Sequence, residues 1–174
     1  MKAKIATVLL AAAAGMSFDT LSDESRSLSS NSQIDAHVKV LSEARARVFG
    51  KATEFCAEQH QPQSLSIDDA LKSYLAAFSE GTTAGLVDIA NKDMNHLASA
   101  PVFGDKEFEM MDRQAELMLM SVQTSPVVAC EKLASVLESG TSESFKEETL
   151  QSYSQYKERR AEYCARIPMP EACE

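Results

Sequence analysis

Four cysteines are the residues whose chemistry is most clearly defined in this sequence: Cys56, Cys130, Cys164 and Cys173. No two of them have the short spacing of a zinc knuckle, and none is followed by the histidine of a covalent haem motif. An even number of cysteines favours two disulfides in an oxidising compartment, and three pairings are possible. We favour Cys56 with Cys130 and Cys164 with Cys173, and the other two pairings stay open.

The histidines and carboxylates do not form a recognisable catalytic set. His37, His60 and His96 lie on three different predicted segments, and none has a metal-ligand spacing. The sequence contains no HExxH motif, no glycine-rich phosphate loop and no Gly-x-Ser-x-Gly elbow. Carboxylate pairs such as Asp68 and Asp69 stand at predicted helix starts, where the helix dipole explains them. The sequence therefore predicts a protein that is not an enzyme and holds no cofactor.

A group of methionines is the strongest candidate for metal chemistry. It comprises Met110, Met111, Met118 and Met120, with Met94 and His96 upstream. Thioether and imidazole ligands suit Cu(I). Only Met111 and Met118 share a helical face, however, and methionine is also an ordinary core residue. A copper carrier is therefore an alternative hypothesis, and no metal ligand is assigned.

The first 17 residues have the pattern of a secretory signal peptide. Lys2 and Lys4 precede an apolar run at residues 5–14, and small residues follow it up to Ser17. The run is too short for a spanning helix, which needs roughly 20 apolar residues. We expect cleavage after Ala14 or Gly15, or after Ser17, and a periplasmic or secreted protein without a membrane anchor. Residues 18–33 are rich in serine and polar, which predicts a flexible leader.

The remaining chain, residues 34–174, has the size of one domain and the periodicity of helices. We predict helices at about 32–59, 67–97, 105–123 and 126–137. A last helix begins within residues 141–144, where Ser144 and Glu147 match a capping box, and continues to about residue 167. Gly81 and Gly85 interrupt the second segment, which is either one kinked helix or two short ones. The fold class is all-α, an antiparallel bundle of about five helices stapled by disulfides. With alternating helix directions, Cys56, Cys130 and Cys164 would meet at one pole.

The formal charge of −9 limits the kinds of molecule that this protein can be expected to bind. An acidic surface repels phosphate backbones and anionic lipids, so nucleic-acid binding is not expected. A protein partner, and a basic one, is favoured, although acidic side chains also serve solubility.

These observations lead to the hypothesis of an exported, non-catalytic helical protein that binds another protein, as an inhibitor or immunity-type protein. A secreted effector that acts on a host is a further alternative. Two surfaces are candidates for the contact: an acidic face and the tyrosine side of the last helix. Their residues are Asp105, Glu107, Glu109 and Asp112 for the first, and Tyr153, Tyr156 and Tyr163 for the second.

Overall fold

A computed structural model of the chain describes residues 31–59, 67–92 and 105–166. The predicted signal peptide, most of the leader, His60, Met94, His96 and Cys173 lie outside the described residues. The five helices are α1 (Asn31–Glu58), α2 (Ile67–Lys92), α3 (Asp105–Thr124), α4 (Pro126–Ser139) and α5 (Ser142–Arg166). No strand occurs in these three ranges. The predicted all-α bundle of about five helices is confirmed.

The two longest helices, α1 and α2, form an antiparallel pair that runs the length of the bundle. The rings of Phe49 and Tyr74 lie 5.4 Å apart in the middle of this pair. Towards the start of α1 and the end of α2, Ile34 and Val38 pack with Ile89 in a separate buried cluster. Between these two contacts the residue numbers decrease along α1 and increase along α2. The two helices are therefore antiparallel.

The hairpin of α3 and α4 covers one half of this pair. Helix α3 runs parallel to α1, because Arg47 pairs with Asp112 at 3.7 Å and Lys51 pairs with Glu116 one turn further along. Helix α3 packs mainly against α1, and α4 packs mainly against α2. Helix α4 begins with a proline directly after Ser125. Proline is favoured at the first helical position because a backbone N–H there would have no partner within the helix.

A disulfide ties the end of α1 to the start of α4. Cys56 and Cys130 are bonded, with their Cα atoms 5.5 Å apart, as we predicted. Cys164 is also disulfide-bonded, and no cysteine in the described part of the chain is free. The predicted bridge between Cys164 and Cys173 involves a residue outside the described ranges and stays a prediction.

Helix α5 covers the other half of the α1–α2 pair, and its course differs from the expected alternation. Only Gly140 and Thr141 separate α4 from α5, and α5 then runs parallel to α2: the start of α5 packs beside Gly81, and Thr149 packs beside Gly85. Cys164 therefore lies towards the pole opposite Cys56, and the expected meeting of three cysteines at one pole was wrong. The sequence signals the end of α4 at Gly140, but it does not show that α4 is too short to reach the far pole before α5 begins.

Gly81 and Gly85 do not divide α2, since α2 is one continuous helix through both positions. Both glycines are buried where α5 comes closest. A Cβ atom on Gly85 would lie 2.8 Å from the Cβ atom of Thr149, and one on Gly81 would overlap the carbonyl oxygen of Ser142. The two glycines, one turn apart, are therefore what lets the backbones of α2 and α5 approach each other.

The capping box of α5 lies three residues earlier than predicted. The backbone N–H of Ser144 donates to Thr141 Oγ1 at 3.2 Å, and the N–H of Thr141 donates to Ser144 Oγ at 3.1 Å. Thr141 is thus the N-cap and Ser144 the third helical residue, which satisfies two backbone donors reciprocally. The box fixes the start of α5 immediately after Gly140.

Candidate functional site

The side chain of Arg45 of α1 is a charged group inside the bundle, and it lies where α4 ends and α5 begins. Its guanidinium donates to the Tyr74 hydroxyl at 2.6 Å and to Glu148 Oε1 at 2.7 Å. The Arg45 side chain is only 13% exposed. These two bonds connect α1 to both α2 and α5.

Aromatic rings enclose the same guanidinium. Its Cζ atom lies 4.1 Å from the ring centroid of Phe78 and 5.2 Å from that of Phe145. The rings of Tyr74 and Phe145 meet edge to face at 5.1 Å. Burial raises the pKa of Tyr74, so the phenol stays protonated at neutral pH. The two hydrogen bonds and the surrounding rings join Arg45 of α1 to residues of α2 and α5, so this cluster stabilises the packing of the three helices.

The methionines divide between the core and the surface. Met111 is 1% exposed and Met118 is buried beside it in the main core, whereas Met110 and Met120 are exposed. Within the described residues, no group of three or more His, Cys, Asp and Glu side chains is placed to hold a metal ion. The structure therefore does not bring Met110, Met111, Met118 and Met120 together as one ligand set.

His37 is next in sequence to Val38, which lines a groove between α1 and α2. Burial lowers the pKa of His37, which lies on α1. A shallow groove of about 490 Å³ between α1 and α2 has Asp35 and Lys39 as its only ionisable lining residues. The Ser42 hydroxyl, which lines this groove, has no hydrogen-bond partner. Asp35 is the carboxylate of this lining, and no hydrogen bond joins it to the Ser42 hydroxyl.

The predicted acidic face of α3 is compensated by cations. Glu109 pairs with Arg113 at 3.1 Å, and Asp112 pairs with Arg47 of α1. Asp105 and Glu107 belong to the first turn of α3, and their side chains lie outside the described set. At Glu109 and Asp112 the face is therefore a network of ion pairs and not an uncompensated acidic patch.

Large apolar side chains are exposed mainly on the α3–α4 hairpin, a feature that sequence reasoning missed. In the described part of the chain the exposed large hydrophobic residues are Met110, Leu117, Met120, Val127, Val128 and Tyr163. The first three lie on the side of α3 opposite the buried Met111 and Met118. The sequence does show apolar residues on both sides of α3. The helical period of three to four residues, however, identifies only the stripe that faces the core.

The tyrosine side of the last helix divides into a packed half and an exposed half. Phe145 is buried near the start of α5, and Tyr153 packs against the cluster of Ile34, Val38 and Ile89. Tyr156 is partly buried, and Tyr163 is 52% exposed. No residue from Gln151 to Arg166 is fully buried. Tyr153 therefore belongs to the fold, and Tyr163 to the surface.

In the parts of the chain that the structure describes, no helix has a stretch that is long and apolar enough to cross a membrane. Comparison of the chain with protein families, with curated proteins and with solved structures finds no match.

Proposed function

We propose that this chain is an exported, non-catalytic helical protein that binds another protein, as an inhibitor or immunity-type protein does. The contact surface is the second half of α5, residues 151–166, which we call the tyrosine half. Export is supported by the Cys56–Cys130 disulfide, since such bonds persist mainly in oxidising compartments.

The exposure of Tyr163 is the observation that carries this proposal. It is the one aromatic residue among the exposed large hydrophobic side chains of the described ranges. Tyr156 lies two turns before it on the same side of α5, and Arg159, Arg160 and Arg166 flank the two tyrosines. Tyrosine and arginine are enriched among the residues that dominate the energy of protein interfaces. A helix side that combines them is better suited to contact than the ion-paired face of α3.

The charge of the tyrosine half indicates the chemistry of the partner at this surface. Residues 151–166 contain the cations Lys157, Arg159, Arg160 and Arg166 and the anions Glu158 and Glu162, which is a net charge of +2 in a chain of −9. An acidic partner surface would therefore be attracted here. The basic partner expected from the net charge would have to bind elsewhere on the molecule.

Site-specific photocrosslinking tests this surface. A photoreactive amino acid is placed at position 163, and the protein is exposed to native envelope and secreted extracts. We expect a discrete adduct from position 163, and its loss at high salt because charges steer the contact. A photoreactive residue at Ala161 is the matched control, since two residues along a helix turn the side chain to the other side.

The identity and position of the adducts decide between the hypotheses. An adduct with an envelope protein supports the inhibitor or immunity-type function, and one with a host protein supports a secreted effector. Equal adducts from positions 161 and 163, or none from either, would refute the tyrosine half as the binding surface. Tyr163→Ala should weaken binding by at least tenfold, whereas Ser154→Ala on the opposite side should leave the affinity unchanged.

A further inference from the structure

Folding divides the four methionines of α3 into an exposed pair and a buried pair. Met110 is 52% exposed and Met120 is 61% exposed. Met111 is 1% exposed and Met118 is 8% exposed, and both belong to the main core. Each exposed methionine lies within two residues of a buried one in the chain. The two pairs therefore differ in their access to solvent and have nearly the same sequence context.

No free thiol in the described part of the chain competes with these thioethers for an oxidant. Cys56 and Cys130 are bonded to each other, and Cys164 is also disulfide-bonded. No cysteine of the described ranges is free, and the whole chain contains no tryptophan. A cysteine thiolate is the more reactive target of two-electron oxidants, and the methionine thioether is the other sulfur group that they commonly oxidise. The exposed thioethers of α3 are thus open to oxidants without a thiolate in the described ranges to protect them.

Oxidation has different structural consequences for the two pairs. Methionine sulfoxide is polar, and a polar group without a hydrogen-bond partner destabilises an apolar core. A sulfoxide at Met111 or Met118 would be such a group, but burial also keeps the oxidant away from both sulfur atoms. A sulfoxide at Met110 or Met120 faces water. The exposed pair can therefore be modified while the bundle stays folded.

From this exposure, the bonded cysteines and the small structural cost, we propose that Met110 and Met120 are sites of reversible oxidation by hydrogen peroxide. The thioether sulfur attacks one peroxide oxygen, so that an S–O bond forms as the O–O bond breaks. The sulfur loses two electrons, the peroxide is reduced, and the second oxygen leaves as water with the proton of the first. A dithiol reverses the step through methionine sulfoxide reductase, in which the sulfoxide oxygen leaves as water and the two thiols become a disulfide.

This inference is independent of the proposed function. Hydrogen peroxide is uncharged, so the charge of −9 does not repel it as it would repel an anionic oxidant. The argument for Met110 and Met120 uses neither export nor a partner at the tyrosine half. Either proposal can therefore fail without the other.

Peptide mass spectrometry of the intact chain treated with hydrogen peroxide tests this proposal. The reaction is quenched at intervals, and the protein is then reduced and cleaved with trypsin. Cleavage after Arg113 separates Met110 and Met111 from Met118 and Met120, and fragment ions assign the oxygen within each peptide. We expect the exposed pair to be oxidised at least about tenfold faster than the buried pair. Sulfoxide reductases of both stereospecificities, supplied with a dithiol, should remove both oxygens from the folded chain.

Urea provides the control for the role of folding. In the unfolded chain the four rates should agree within about twofold, because burial is then lost. The melting temperature of the oxidised, folded chain should stay within about 2 °C of the untreated value, as expected of a change at an exposed position. A fall well beyond this, together with oxidation of Met111 and Met118, would show that the core is accessible and would overturn the proposal.

Two double variants assign the oxygen uptake to the exposed pair. Met110→Leu with Met120→Leu should abolish the early gain of two oxygens by α3. Met111→Leu with Met118→Leu, which conserves core volume closely, should retain it. Equal rates at all four positions of the folded chain, selectivity that persists in urea, or sulfoxides that the reductases leave in place would each refute the reversible, fold-dependent site.

Discussion

The close approach of α2 and α5 can be tested by adding a single methyl group at Gly81. The Cβ atom of Gly81→Ala would overlap the carbonyl oxygen of Ser142 and lie 2.9 Å from the Cβ atom of Phe145. Neither obstacle is the flexible end of a side chain, so α5 must move away from α2. Such movement would loosen the packing of Phe145 against Tyr74 and Phe78, whose rings lie 5.1 and 5.3 Å away.

The expected magnitude combines two opposing terms. Overpacking of a tightly packed core costs about 1–3 kcal/mol and occasionally more. Replacing glycine by alanine inside a helix stabilises the folded state by about 1 kcal/mol, because alanine has the higher helix propensity. Because the obstacle at Gly81 includes backbone, we place its overpacking at or above the upper end of that range. The free energy of unfolding of Gly81→Ala should therefore fall by about 2 kcal/mol or more, and the melting temperature by about 4–8 °C.

Gly50 provides the matched control on α1. A Cβ atom at Gly50 would meet nothing within 4 Å, so Gly50→Ala should gain the propensity term alone and stabilise the protein by about 1 kcal/mol. Chemical denaturation followed by far-UV circular dichroism measures both variants. If Gly81→Ala is as stable as Gly50→Ala, the packing of α5 on α2 is looser than the structure shows and our reasoning is wrong.

Three further perturbations test the core, the disulfide and the pH dependence. Arg45→Ala should lower the free energy of unfolding by about 3 kcal/mol, because it leaves the buried Tyr74 hydroxyl without its donor; Arg45→Lys, which keeps the charge, should cost less in the same urea titration. Replacing Cys56 and Cys130 together by alanine should cost about 4 kcal/mol, since the bond closes a loop with a sequence separation of 74; an unchanged urea midpoint would contradict this. Burial lowers the pKa of His37 below 6.5, so the unfolded chain binds the proton more readily and stability should be complete above pH 6.5 and decrease below it. A His37→Gln variant should lose that part of the pH dependence when melting temperatures are compared across pH 5–8.

The sequence predicted the helices better than it predicted their arrangement. Apolar periodicity and terminal signals placed all five helix starts within about two residues, because both are local properties of the chain. The direction of α5 depends on where α4 ends relative to α1 and α2, which is a property of packing. Gly81 and Gly85 show the same distinction, since a glycine that permits close packing and a glycine that breaks a helix look alike in sequence.

Candidate surfaces were harder to predict than the core for a related reason. Asp112 was assigned to an acidic face because Arg47, the cation that pairs with it, is distant along the chain. The partner of Glu109, Arg113, is only four residues away, so this pair could have been read from the helical spacing. Arg45 is a charged residue, yet three aromatic rings from α2 and α5 surround its guanidinium. Only after folding can a charged residue be assigned to a solvated face or to a buried network, because pairing depends on contacts between helices.

The parallel course of α2 and α5 connects the fold to the proposed binding surface. Had α5 reversed direction after Gly140, it would have returned towards Cys56, along the half of the bundle that the α3–α4 hairpin already covers. The Thr141 cap starts α5 beside Gly81, and α5 then runs parallel to α2. The first half of α5 packs against the core. The second half extends beyond Tyr153 and contains no buried residue. The core near Phe145 holds α5 in place, so the exposed Tyr163 projects from a helix whose orientation is already fixed. A preorganised helix of this kind loses little conformational entropy on binding, and for this reason we expect the affinity at Tyr163 to fall in variants such as Gly81→Ala that loosen α5 without touching the surface.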